Sequence, residues 1–226
     1  MNAAHHPITP QSTLADLAAT RATASRVFYR HGLDFCCHGR VALAEAAPKR
    51  GLDVDALIAE LEAEEAKGGG GRTFEDRPLG ELIAHLLQRY HASHREELPR
   101  LLAHAEKVEK VHADKAACPR GLAQHLATLI EELEDHMQKE EQVLFPMIES
   151  GRGRMASMPV QVLELEHQDH GRNLEKTRAL AKDFVPPPDA CGTWIALYLG
   201  LAQLERDLME HIHLENNVLF PRALRG

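Results

Sequence analysis

HMQKEEQVLFP, residues 136–146, and HIHLENNVLFP, residues 211–221, are two versions of one segment. Each sets a histidine and a glutamate four residues apart just before VLFP: His136 with Glu140, and His211 with Glu215. Side chains at i and i+4 lie one above the other on a single helix face, so both can reach a shared ion. One such pair is common on helices. Two in matching context are not.

Working back from each pair, Leu122, Leu126, Leu129 and Leu133 lead to His136, Glu140 and Val143, and Leu197, Leu201, Leu204 and Leu208 lead to His211, Glu215 and Val218. Steps alternating between four and three mark the buried stripe of a bundle helix. Both glutamates therefore fall where a leucine is expected. A carboxylate buried without a strong partner protonates or is destabilising, and a metal cation is such a partner.

Two further segments carry HxxH. His91 and His94 share a seam with Leu87 and Leu98, and His167 and His170 share one with Leu163 and Leu174. His91 and His136 are 45 positions apart, His167 and His211 are 44, so the chain reads as two copies of one helical hairpin. A pseudo-two-fold arrangement would gather at least four histidines and two glutamates, which favours two metals over one. The seam leaves open which histidine of each HxxH pair takes part. A single histidine on an apolar face is more often a satisfied core residue; it is the repetition that argues for ligands. His85, His104, His112, His125 and His213 fall off the pattern and read as surface residues or supports around the site.

Histidine with bridging carboxylate inside a helical bundle suits iron or manganese, whereas structural zinc prefers thiolate-rich tetrahedra. Iron is the first expectation. If both glutamates bridge, each ion receives two histidines and two carboxylate oxygens, leaving room for an oxo or hydroxo bridge and one exchangeable position.

The predicted fold class is all-α: an antiparallel four-helix bundle with a small helical N-terminal domain. Leucine, alanine and glutamate dominate and aromatics make up only 4% of the 226 residues. Helical patterns run over about 79–111, 121–149, 159–184 and 193–223, broken at ACPRG, SGRGRMASMP and VPPPDACG. Ahead of them a glycine-rich stretch reads as a linker, which divides the chain into an N-terminal domain (1–66), a linker (67–77) and a bundle (78–226). The N-terminal domain shows helical patterns over 14–29 and 54–65, with Ser12 or Thr13 as a cap.

A net charge of −8 lacks the basic footprint of a nucleic-acid binder. The longest apolar run, residues 194–202, is too short to span a membrane. Cys36 and Cys37 are adjacent and Cys118 and Cys191 isolated, unlike a secreted disulfide framework, so a cytoplasmic location is expected. The adjacent cysteines, flanked by Asp34, His38 and Arg40, read either as a redox or transient metal-binding pair or as small residues packed at a turn.

With RYHASHREELP, KVHADK, EELEDHMQKEEQVLFPMI, LELEHQDH, LMEHIHLENNVLFPRAL and LDFCCHG in place, the chain resembles the hemerythrin-like di-iron proteins, and among them the RIC family of iron–sulfur cluster repair proteins. The resemblance covers nearly the whole chain. It implies two non-haem iron ions per chain, oxo- or hydroxo-bridged, held by His91, His136, His167 and His211 with Glu140 and Glu215 bridging. It also places Glu132 and Glu166 beside the site, leaves His94 and His170, the second histidine of each HxxH pair, as supporting candidates, and suggests a redox or iron-transfer role for Cys36 and Cys37. The function implied is repair of clusters damaged by nitrosative or oxidative stress, by donating iron to damaged iron–sulfur proteins or scaffold proteins. Alternatives are a nitric oxide sink or reductase at the same site, with nitric oxide or oxygen as the small ligand, and a non-enzymatic redox or gas sensor acting through a partner. A homodimer is one expected assembly. The chain departs from the family pattern at His38, after the cysteine pair, and at His170. It also lacks the fifth histidine of oxygen-carrying hemerythrins, which argues against simple oxygen storage.

Overall fold

Segments rich in alanine, leucine and glutamate lose little side-chain freedom in a helix, and the seams above give them an apolar face to bury. The computed structural model describes residues 7–67, 73–75 and 77–226, and these form an all-α fold. The expected linker, residues 67–77, falls largely outside the described residues. By contact the chain divides into two units, Met1–Leu82 with Met209–Arg225, and Ile83–Leu208 with Gly226.

In the first unit four short helices, α1 (Leu14–Thr20), α2 (Ala24–Arg30), α3 (Leu43–Lys49) and α4 (Val54–Ala66), surround a core that includes Phe28, Phe35, Leu43, Leu57 and Leu61. Thr13 caps α1 by accepting from the Asp16 amide at 3.1 Å, as its position ahead of an apolar run predicts. The pattern over 14–29 is two helices rather than one. Arg21 adopts an extended conformation that ends α1, and its buried guanidinium pairs with Glu65 on α4. That pairing is tertiary and leaves no periodic trace. Helix α3 was not expected either, because seven residues containing Pro48 are too few to show a period. Met209 packs against this same core.

The second unit holds the bundle. Helix α5 (79–111) and helix α6 (122–149) are each interrupted by a π turn, at Leu86–His91 and Glu140–Leu144. Helix α7 (Ser157–Leu180) follows, and α8 (192–225) begins here and carries a third π turn at Leu214–Leu219. Helix α7 starts two residues before Pro159, which is tolerated in a first turn that lacks backbone acceptors. It stops at Leu180 instead of continuing to Phe184, because Lys182, Asp183 and Phe184 take left-handed φ values of 49, 56 and 61°. No right-handed helix continues through them.

Both leucine seams are buried, from Leu122 to Leu133 and from Leu197 to Leu208. The α6 stripe then shifts by one. Val143, the next seam position by spacing, is 47% exposed, while Leu144 is fully buried. The π turn that opens at Glu140 holds an extra residue, so every later side chain rotates off the 3.6-residue register.

Candidate metal centre

In the bundle unit, π turns lie against the candidate ligands. His91 closes the turn in α5, Glu140 opens the turn in α6, and His136 sits one helical turn before it. His167 comes from the middle of α7. All four are buried. His136 Nε2 lies 3.0 Å from His167 Nε2. The two oxygens of Glu140 reach one histidine each, Oε1 3.4 Å from His136 Nε2 and Oε2 3.4 Å from His91 Nε2. One glutamate thus stands between histidines of two helices, as a bridging group must.

The far sides of these rings decide their tautomers. His136 Nδ1 donates to Glu166 at 2.9 Å, and His91 Nδ1 donates to Glu141 at 2.7 Å. An ionised carboxylate only accepts, so the proton of each neutral imidazole sits on Nδ1 and Nε2 turns a lone pair inward. Lone pairs and a carboxylate converging on one buried point repel unless a cation lies among them. The donor set fits a metal on these grounds.

Glu166 has a carboxyl held down to about 2, chiefly by the hydrogen bond from His136, with Lys139 adding to it. Burial pushes the Glu141 carboxyl up, but hydrogen bonds from Arg95 and His91 outweigh it and hold it below the ordinary range. Arg95 reaches Glu134 and Glu141, each at 2.8 Å. Glu141 was missed by sequence reasoning. It follows the candidate ligand Glu140 directly, and only the π turn brings it round to His91.

Of the other candidates beside the site, His170 packs its ring edge-on against His136 at 4.9 Å between centroids. His94 is buried with its ring 6.3 Å from Tyr90. Glu132 accepts from Asn173 at 2.6 Å rather than from a candidate ligand histidine, and lines a pocket of about 280 Å³ with Glu166 and His170. His125, read from sequence as a surface or supporting residue, is buried and bonded to Asn173 and Thr177.

In the first unit, His211 and Glu215 are buried and adjacent, Nε2 to Oε1 3.2 Å. Directly after Glu215, Asn216 donates to the Cys36 carbonyl at 3.1 Å and Asn217 to the Phe35 carbonyl at 3.2 Å. His213, fully buried, meets the Phe35 ring edge-on at 5.5 Å. The cysteine pair is therefore tied to the segment that carries Glu215. Cys36 is buried and Cys37 partly so, their sulfurs 3.5 Å apart, with Asp34 accepting from both backbone amides. Burial raises the Asp34 carboxyl, but hydrogen bonds from His38 and the Cys36–Cys37 turn outweigh it and keep it below the usual aspartate range.

Buried imidazoles with inward lone pairs around a carboxylate, set in a helical bundle, define a cation-binding bundle protein. Comparison with known families agrees: residues 82–223 match the hemerythrin HHE cation binding domain, and residues 10–65 match ScdA_N, a domain of unknown function. Among curated proteins, the iron-sulfur cluster repair protein YtfE of Yersinia pseudotuberculosis serotype O:1b is 50% identical over 214 residues, covering 95% of this chain and 97% of the relative. The protein of that name from Musicola paradisiaca is 49% identical over 216 residues, covering 96% and 97%. The chain belongs to the hemerythrin-like family of these iron–sulfur cluster repair proteins.

No helix among the described residues is long and apolar enough to cross a membrane.

Proposed function

We propose that this protein repairs damaged iron–sulfur clusters, and that it holds a pair of non-haem iron ions for the purpose at His91, His136, Glu140, His167, His211 and Glu215. The single observation that supports the centre most strongly is Glu140, buried between the Nε2 atoms of His91 and His136, whose outer nitrogens are committed to Glu141 and Glu166. The likeness of the two VLFP segments extends this role to His211 and Glu215, a second buried pair at the same spacing. In this reading Glu140 and Glu215 bridge, and the bundle, expected over 78–226, holds the metal. The N-terminal domain, expected over 1–66, offers Cys36 and Cys37 for redox or iron transfer.

Bound iron would supply an exchangeable ion for the damaged cluster. The residues around it do the rest. Glu141 and Glu166 fix the tautomers and aim of His91 and His136, and the leucine seams keep bulk water from the carboxylates. Partners of this chemistry are iron–sulfur proteins or scaffolds whose clusters nitric oxide or oxidants have damaged. The names of the relatives support repair, while gas binding, gas reduction and sensing have no observation of their own.

Iron-loaded protein mixed with a cluster enzyme inactivated by nitric oxide tests the proposal, against an equal amount of ferrous iron with a chelator present. Recovery above that control is expected. Recovery no greater than the control would overturn iron donation.

A further inference from the structure

We propose that Asp34, Cys36 and Cys37 form a second metal site, with a donor set of its own, for one thiophilic divalent cation of the zinc type. The inference does not depend on the function proposed above. One ligand atom from each of the three residues lies within 4.8 Å of the others. Cys36 Sγ is 3.5 Å from Cys37 Sγ and 3.3 Å from Asp34 Oδ1. Tetrahedral zinc with its usual bond lengths puts two sulfurs about 3.8 Å apart and sulfur and oxygen about 3.5 Å apart. Both separations are already within a few tenths of an ångström of the bound geometry.

The turn is built to stay that way. The amides of Cys36 and Cys37 donate to Asp34 Oδ1 at 3.2 and 2.9 Å, and His38 Nδ1 donates to Oδ2 at 2.7 Å. These bonds hold the carboxylate over the thiols before any cation arrives. Gly39 lets the chain double back: a Cβ there would come within 2.3 Å of the Phe35 carbonyl oxygen. From the other side, Asn216 and Asn217 grip the Cys36 and Phe35 carbonyls. A disulfide is a poor competitor, because a trans peptide sets neighbouring Cα atoms about 3.8 Å apart and disulfides want about 4.4 Å or more.

Binding is ligand exchange and needs no oxidant. Each thiol gives its proton to solvent as its sulfur bonds the cation, and the carboxylate binds as it stands. Asp34 has a side chain 39% exposed and Cys37 is partly exposed, so water completes the fourth position. The site is thus open and exchangeable rather than a closed structural one.

Cadmium titration of the reduced full-length protein reads the site through the thiolate-to-cadmium ultraviolet band. One saturable equivalent is expected, absent in Cys37→Ser, weakened about tenfold or more in Asp34→Asn, and retained in Glu140→Ala. Saturating zinc should also slow Cys37 alkylation, mapped by mass spectrometry. Cys37→Ser and Asp34→Asn alter partly exposed side chains, so the test does not rely on replacing buried Cys36. A band that persists in Cys37→Ser, a band lost in Glu140→Ala, or alkylation indifferent to zinc would each overturn the proposal.

Discussion

His136 and His167 face each other through their Nε2 atoms at 3.0 Å, although they stand on different helices. Because Glu166 accepts a hydrogen bond from Nδ1–H of His136, His136 presents a lone pair to its neighbour through Nε2. A metal ion can take the place of the shared proton, and Glu140 stands 3.4 Å away with a carboxylate for the same ion.

Removing that carboxylate should empty the centre. Glu140→Ala and Glu215→Ala are each expected to lose most of the bound iron, measured by elemental analysis of protein purified under identical conditions. Glu140→Gln should lose it too, since it keeps the shape without the charge. Loading equal to the parent in Glu140→Ala would refute the bridging assignment.

The supporting carboxylates should tune affinity without abolishing it. Glu166→Gln weakens the hold on the His136 Nδ1 proton, and loss of such a partner lowers metal affinity by about 10- to 100-fold. Competition with a chromophoric chelator measures this, and Glu141→Gln should act alike through His91. The retained helical circular dichroism of both variants would show that folding is not the cause.

Acid should destabilise the metal-free chain in part through His125. Burial holds its pKa below the ordinary 6.5. The unfolded chain therefore takes up a proton below pH 6.5 that the folded chain refuses, and stability falls as pH drops until the folded pKa is reached. The slope from one such group is at most about 1.4 kcal/mol per pH unit. Urea midpoints of the parent should decline more steeply below pH 6.5 than those of His125→Gln.

Packing beneath the site should dominate stability. Leu126 and Leu129 are fully buried on α6, about three and two turns before His136, and Leu126→Ala should cost about 2–5 kcal/mol. Chemical denaturation of the metal-free protein measures it, free of the stabilisation that ligand binding adds. A change within experimental error would mean that the seam is not the core.

Much of the fold could be read along the chain because period and burial are linked. The seam leucines of α6 and α8 repeat at helical spacing, and Leu122, Leu126, Leu129 and Leu133, like Leu197, Leu201, Leu204 and Leu208, are all buried, whereas Leu199, off the seam, is exposed. The helix breaks at glycine and proline clusters were legible for the same local reason. What failed was the break at Arg21, whose guanidinium pairs with Glu65 far along the chain, and the end of α7, where three residues take left-handed φ values that no apolar period announces.

The candidate site divides along the same line. By itself the sequence determined which side chains could bind metal, because the HxxxE and HxxH spacings put donors on one helix face whatever the surroundings. Only the tertiary structure decided how they are aimed. The π turns at Leu86–His91 and Glu140–Leu144 break the period on which sequence reasoning depends, burying Leu144 in place of Val143 and bringing Glu141 to His91. The tie between Asn216 and the Cys36 carbonyl joins positions 180 residues apart, a distance at which spacing carries no information.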